Sequence, residues 1–282
     1  MLRRLKEWLL SIPSLAWLVF FFLLPTLMVF VIAFKPANLL GDIGEGWTLS
    51  TWVELGNPNY PAIVWRTLRL SFYCTAVCIL LGIPFSYCIA RASEKCQRWL
   101  LMLVIIPFWT NFLIRVFAWK AILHPEGILK HVLVSVGLAT PDTMLLYNEG
   151  AVLLVMVYTY LPFAIMPLYA AIEKFDFSLI DAALDLGSTV ATAFRRVFVP
   201  GIRRGIQTAI LMVLIPALGS YVIPDILGGP TSEMLGNKIA QRASTDRNLP
   251  HAAALSALLC LGVMLPMLVS TLVLRRKKRG EP

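Results

Sequence analysis

The residues able to do chemistry do not converge in this sequence. Its three histidines, His124, His131 and His251, stand far apart with no ligand spacing. Its five cysteines, Cys74, Cys78, Cys88, Cys96 and Cys260, contain no C-x-x-C pair, and four of them fall in apolar stretches. They read as small core hydrophobes rather than disulfides or metal ligands. No G-x-x-x-x-G-K-[ST] loop occurs, so the chain lacks the backbone cradle that binds nucleotide phosphates. Enzyme chemistry needs a nucleophile, a base and an orienting group in one place, and no such constellation is visible. What remains is a set of isolated polar and aromatic side chains in apolar surroundings. Arg115 and Asp225 are the charged members. Arg115 is a functional candidate if its stretch lies in lipid, or it snorkels to headgroups, or it pairs with Asp225. Trp109, Tyr158, Tyr160 and Tyr221 offer ring faces to a cation, or they simply pack in a core or at a lipid interface.

The elements that carry these residues are dictated by composition. The 282-residue chain is 58% hydrophobic and 15% charged, against about 25% charged in soluble proteins. Its mean hydropathy is +0.75. That much apolar surface faces lipid. A bilayer core about 30 Å thick takes roughly 20 apolar residues as a helix. Six stretches qualify: Ser14–Phe34, Leu68–Ala90, Trp99–Ile122, Ala151–Ile172, Ile206–Leu227 and His251–Leu274. The first is too long for a signal-peptide core and no A-x-A site follows it, so it is expected to be retained. Prolines recur inside the spans, among them Pro84, Pro107, Pro162, Pro167 and Pro216, and each is expected to kink its helix.

Charge sets the orientation. With the N-terminus in the cytoplasm, the inside segments collect Arg3, Arg4 and Lys6; Arg91, Lys95 and Arg98; Lys174, Arg195, Arg196, Arg203 and Arg204; and the basic run from Arg275 to Arg279. The formal net charge of +9 then lies on the cytoplasmic side, where anionic lipid headgroups are its partner and nucleic acid is not. The expected class is an all-α membrane protein with six transmembrane helices, both termini inside. Its parts are an N-terminal helix and extracytoplasmic loop (1–66), a transmembrane core (67–275) with a cytoplasmic loop at 173–205, and a basic tail (276–282).

That cytoplasmic loop has the densest local signals. Ser178 followed by Asp181 approximates a capping box and starts a helix. Ile180, Ala183, Leu184 and Gly187 share one face, and Asp181 and Asp185 share another. Gly187 can end the helix in the left-handed conformation, and Ser188 or Thr189 can cap a second helix, with Pro200 closing it. The hairpin is either an ordinary amphipathic element at the membrane surface or a rigid knob for a soluble partner.

The segment resembles the E-A-A-x-x-x-G-x9-I-x-L-P signature of bacterial ABC-importer permeases. Asp181, Ala182 and Ala183 take the E-A-A place, Gly187 follows after three residues, and Val197, Val199 and Pro200 close the motif at the same spacing. The stretches Pro107–Arg115, Leu161–Tyr169 and Pro216–Pro230 look like the permeases of spermidine/putrescine uptake systems. Opine and other cationic-solute permeases share much of that pattern. The resemblance implies a type I importer permease fold, non-catalytic, with Asp181, Ala182, Ala183, Gly187 and Pro200 in the ATPase-coupling loop. Trp109, Asn111, Arg115, Tyr158, Tyr160, Tyr221 and Asp225 are then candidates for the solute path. It also implies a second similar permease chain, two ATPase subunits that bind the ATP and magnesium, and an extracytoplasmic solute-binding protein. Two rivals lack support in the residues. An ion-coupled transporter would need mid-span carboxylates and often an internal repeat. A lipid-modifying enzyme would need a catalytic cluster.

Overall fold

The computed structural model describes residues 11–38, 41–138 and 140–279, with the side chains of 266–279 excepted. The basic cluster Arg3, Arg4 and Lys6 and the end of the tail at 280–282 lie outside the described residues, as do the side chains of the 275–279 run. Among the described residues the chain is helical, with one isolated bridge between Ala37 and Ile43.

The helices are α1 (Ser11–Ile32), α2 (Ser50–Glu54), α3 (Asn59–Arg91), α4 (Glu94–Ile105, continued by a 3-10 turn, Ile106–Trp109), α5 (Phe112–Leu123), α6 (Ile128–Ser135), α7 (Glu149–Glu173), α8 (Ser178–Asp185), α9 (Val190–Gly201), α10 (Arg203–Leu218), α11 (Val222–Leu227), α12 (Leu235–Ala240) and α13 (Leu249–Arg279). Three of these, α1, α3 and α7, are long and apolar enough to cross a membrane unbroken. α7 matches the expected span to within two residues at each end.

Two expected spans are broken. Trp99–Ile122 is not one helix: the chain bends by 93° between Trp109 and Phe112. Pro107 supplies no N–H, the last turn tightens to 3-10, Thr110 becomes extended, and Asn111 caps α5 by accepting the Leu113 N–H at 2.8 Å. Ile206–Leu227 is likewise divided. α10 ends at Leu218, Gly219 and Ser220 leave helical geometry, and α11 follows as a short separate helix. A second bend, of 68°, separates α9 from α10. Arg115 therefore lies on the helix after a bend and Asp225 on a short separate helix. By contrast Pro84, Pro162 and Pro167 lie inside α3 and α7 without ending them.

The chain forms two compact units. One contains residues up to Ile63 and from Leu235 onward; the other is Val64–Met234. In the first, α13 packs along α1 and against α12. Ser11–Met28 of α1 is exposed throughout although almost wholly apolar, which is the signature of a lipid-facing helix. In the second, α7 and α10 pack lengthwise. Their shared core includes Val152, Val155, Met156, Ala164, Leu168, Ala209, Val213 and Ala217. Cys74 and Cys78 are buried in the same core, as expected, but Cys88 and Cys96 are exposed because α3 and α4 turn those positions outward. Lipid gives no hydrophobic drive between helices, so small residues and interhelical hydrogen bonds hold them. The Ser86 hydroxyl, buried on α3, donates to the Ile165 carbonyl of α7 at 3.1 Å.

Candidate functional site

The loop between α7 and α10 folds as a hairpin from local signals alone. Its first helix begins at Ser178 as expected, but without the Ser178–Asp181 capping box: the N-cap position is Phe177, and Asp176 before it accepts the Ser178 N–H on Oδ1 at 3.0 Å. Its end is a complete Schellman motif. The Gly187 N–H reaches the Leu184 carbonyl at 2.9 Å, and the Ser188 N–H reaches back to the Ala183 carbonyl at 3.0 Å. Gly187 sits at φ +85°, in the left-handed region that side chains disfavour. Thr189 then caps α9 by accepting the Thr192 N–H at 3.3 Å. α9 passes through a π-turn at Phe194–Phe198 and runs past Pro200 to Gly201 before the elbow at Ile202. Pro200 therefore stands inside the last turn rather than at the stop.

Aromatic packing anchors the hairpin. Phe198 is fully buried against Ile172 and Ile202, with Phe175 and Phe177 around it. The Phe175 and Phe198 rings meet edge to face at 5.3 Å, and Tyr87 of α3 meets Phe198 and Phe177 at 5.7 and 5.9 Å. The Arg91 guanidinium lies 5.0 Å over the Phe177 ring. Away from this anchor the tip is apolar and uncovered: Leu186 is 88% exposed and Val190 73%. Asp181, Ala182 and Asp185 are exposed beside it, and Ala183 is half-buried. On α9, Arg195 and Arg196 line a cavity of about 290 Å³ with Ala191 and Thr192. The hairpin is thus a rigid, doubly capped element presenting apolar, acidic and basic groups outward.

The candidates for a solute path do not form one lining. Trp109 is 78% exposed at the α4–α5 bend. The Asn111 carboxamide is engaged as the α5 cap. Arg115 lies 5.6 and 5.9 Å from the Phe108 and Phe112 rings, and its buried Nε has no hydrogen-bond partner. It forms no ion pair with Asp225, which is exposed in the first turn of α11. Tyr158 meets Trp119 edge to face at 5.3 Å. Tyr160 is 8% exposed, and its hydroxyl donates at 3.2 Å to the Pro216 carbonyl, which lies where α10 unwinds. Tyr221 is half exposed at the break before α11. Trp109, Tyr158 and Tyr160 make no ring contact with one another.

Two polar clusters escaped the sequence reading because their members are distant in the chain. Glu149, in the first turn of α7, pairs with both Arg66 (3.5 Å) and Arg69 of α3, and Arg66 also donates to the Glu233 carbonyl at 3.1 Å. These side chains are 23–39% exposed, between the surface and buried regimes. Glu149→Gln keeps the shape but leaves two half-buried cations short of an acid. It is expected to destabilise this unit by about 1–2 kcal/mol, read as a lower unfolding temperature of purified chain; an unchanged temperature would show the cluster to be ornamental. The second cluster joins Gln97 of α4 to Tyr169 and Glu173 at the end of α7. The Tyr169 hydroxyl donates to Glu173 Oε1 at 2.6 Å, and the Gln97 amide donates to both.

Comparison with known proteins places this geometry. The family model described as binding-protein-dependent transport system inner membrane component matches residues 79–279, most of the chain and all of the hairpin. The chain belongs to this family. It is 38% identical over 241 residues to the spermidine/putrescine transport system permease protein PotB of Haemophilus influenzae, covering 86% of this chain and 84% of that one. It is 34% identical over 258 residues to PotB of Escherichia coli K12, covering 92% and 94%. Among solved structures, a bacterial alginate ABC transporter in complex with an alginate pentasaccharide-bound periplasmic protein superposes with a TM-score of 0.71. The superposition covers 97% of this chain and 95% of that one at 17% identity, which shows the fold. This inner-membrane transport component therefore has the ABC-importer permease fold that its sequence motifs led one to expect, and is a multi-pass membrane protein.

Proposed function

We propose that this chain is the permease subunit of a polyamine importer, forming half of the path for putrescine or spermidine. The observation that carries the substrate is the identity of 34–38% to the PotB permeases over nearly their whole length. In this reading α1, α3, α7 and α13 each span the membrane, as do the bent α4–α5 segment and α10 with its α11 extension. That makes six spans with both termini in the cytoplasm. A second permease chain completes the path, an extracytoplasmic binding protein delivers the polyamine, and two ATPase subunits hold ATP and magnesium.

The hairpin α8–α9 is the coupling element. Asp181, Ala182, Ala183 and Gly187 dock into the ATPase, Leu186 and Val190 insert as the apolar anchor, and Arg195 and Arg196 meet acidic groups. Closure of the ATPase pair pulls the hairpin, and the elbow at Ile202 passes that motion to α10. The solute-binding protein favours one of the two states, or it could not shift their equilibrium. Selectivity rests mainly with that protein.

The test is uptake of labelled putrescine and spermidine by cells with and without the chain, competed with unlabelled amino acids. In a strain lacking other polyamine importers, uptake is expected to vanish with the chain and to resist the competition. Uptake that persists, or that amino acids abolish, removes the polyamine assignment and leaves the permease class on its hairpin.

A further inference from the structure

The unit built from the two ends of the chain contains a hydrogen-bonded relay that the transport path does not use. His251, in the first turn of α13, is 3% exposed. Its Nε2 lies 2.8 Å from the hydroxyl of Tyr60, which opens α3, and its Nδ1 lies 3.4 Å from Glu54 Oε2 at the end of α2. The Tyr60 hydroxyl also accepts from Arg242 at 2.9 Å, and Arg242 in turn pairs with Asp246 at 2.9 Å. Lys238, engaged with Gln241 at 2.8 Å, is the remaining charged group facing the ring. The loop around them is fixed. The Asn248 N–H binds the Arg242 carbonyl at 2.8 Å, Asn248 Oδ1 accepts the His251 N–H at 3.1 Å, and Leu249 donates to the Gly41 carbonyl at 3.2 Å.

These partners fix the proton positions. Arginine only donates, so the Tyr60 oxygen is an acceptor toward Arg242. A carboxylate only accepts, so a hydrogen on His251 Nδ1 suits the Glu54 oxygen 3.4 Å away. The neutral ring then has its lone pair at Nε2, and Tyr60 donates to it. Donation thus runs in one direction from Arg242 through Tyr60 and His251 to Glu54. Protonation of His251 breaks that order. A proton from solvent binds Nε2, so the ring nitrogen becomes a donor facing a donor. Tyr60 must turn its hydrogen away, and its oxygen then lies between two cations, imidazolium and guanidinium. The Glu54 pairing that protonation strengthens is a weak compensation, because the Glu54 side chain is 64% exposed and screened.

We infer that Tyr60 is a positioning residue that holds His251 in its neutral Nδ1–H form, and that this contact makes import sensitive to extracytoplasmic pH. Neutral His251 ties the start of α3 to the start of α13; protonated His251 releases Tyr60 and slackens the tie. The side on which the relay lies rests on the orientation proposed above.

Two measurements test it. In the full chain labelled with 15N-histidine and held in lipid nanodiscs, the resonance lost in His251→Gln identifies the residue. Its ring shifts at neutral pH are expected to show a protonated Nδ1 and an unprotonated Nε2. Tyr60→Phe should destroy that preference. An Nε2–H tautomer, or a preference that survives Tyr60→Phe, overturns the inference. In cells, import is expected to fall up to about tenfold between pH 7.5 and pH 5.5 outside, the drop in neutral imidazole for an ordinary histidine. The His251→Gln variant should import at a reduced, pH-independent rate. A variant profile parallel to the parent's, or one that follows internal pH, overturns it. If His251→Gln does not accumulate, Arg242→Gln replaces it. That variant removes the second cation on Tyr60, eases protonation of His251 and should shift the fall in import to higher pH; an unmoved profile overturns the inference. The spectroscopic arm needs no transport, so loss of the polyamine assignment would leave it readable.

Discussion

A Gly187→Asn variant is expected to insert and accumulate normally yet to lose import. Gly187 ends α8 at φ +85°, and a Cβ placed there meets nothing within 4 Å. The chain itself therefore has room for a side chain. The only internal cost is the left-handed backbone, about 1–2 kcal/mol for an ordinary residue and less for asparagine, which bonds its own backbone there. The hairpin should survive on its remaining supports, the Asp176 and Thr189 hydrogen bonds and the buried Phe198. A partner surface fitted closely to the glycine has no such tolerance. Each loss of about 1.4 kcal/mol in docking weakens the ATPase roughly tenfold, so import should fall by at least that factor. The ATPase should no longer co-purify, or it should hydrolyse ATP without transport. Gly187→Leu, larger and more strained, should be more severe. Normal import by either variant at normal chain level would sink the docking reading.

The hairpin was legible from sequence because its signals are local. Gly187 and Thr189 each act within a few residues, and the structure uses them at those positions, whereas of the expected apolar face Ile180 packs against the core and Leu184 is exposed. The one difference is at the start of α8, where Asp176, two residues before Ser178, accepts the Ser178 N–H in place of a capping box. α7 was legible because a continuous apolar run admits one reading; in the structure Asn148 caps its start. The breaks in the third and fifth spans were not. Hydropathy counts apolar residues and is blind to direction, so a 93° bend inside an apolar run leaves no trace in it. Proline alone did not mark them either, since Pro162 and Pro167 sit inside α7. What distinguishes Pro107 is the sequel: Thr110 and Asn111 supply an extended residue and a cap, so the released chain can start a new helix in a new direction. Pro162 and Pro167 are followed by apolar residues that offer no cap. The Glu149 cluster was illegible for another reason. Arg69 and Glu149 are 80 residues apart, and only the register of α3 against α7 brings them together.

The largest loss of folded chain is expected from Gly205→Leu. α10 meets α7 through Gly205, and a Cβ added there would fall 2.3 Å from Ala171 Cβ and 3.0 Å from the Pro167 carbonyl oxygen. Neither obstacle is the flexible end of a side chain. Below Gly205 the same face presents Ala209 and Ala217, both fully buried, at intervals of four and eight residues. In lipid this close approach is the main attraction between the helices, because the tails are as apolar as the side chains. Overpacking a well-fitted core costs about 1–3 kcal/mol for added methylenes, and leucine here must push the helices apart. The variant is expected to be degraded or to unfold at markedly lower temperature, and Gly205→Ala should show a milder form of the defect. Gly262 on α13 is the internal control, since a Cβ there meets nothing within 4 Å. Gly262→Leu should leave chain level and melting unchanged. The contrast with Gly187 separates two failures of import. The Gly187 variants keep the chain and lose the partner, whereas Gly205→Leu loses the chain. Import by Gly205→Leu at the level of Gly262→Leu would show that the α7–α10 contact is looser in the bilayer than its geometry requires.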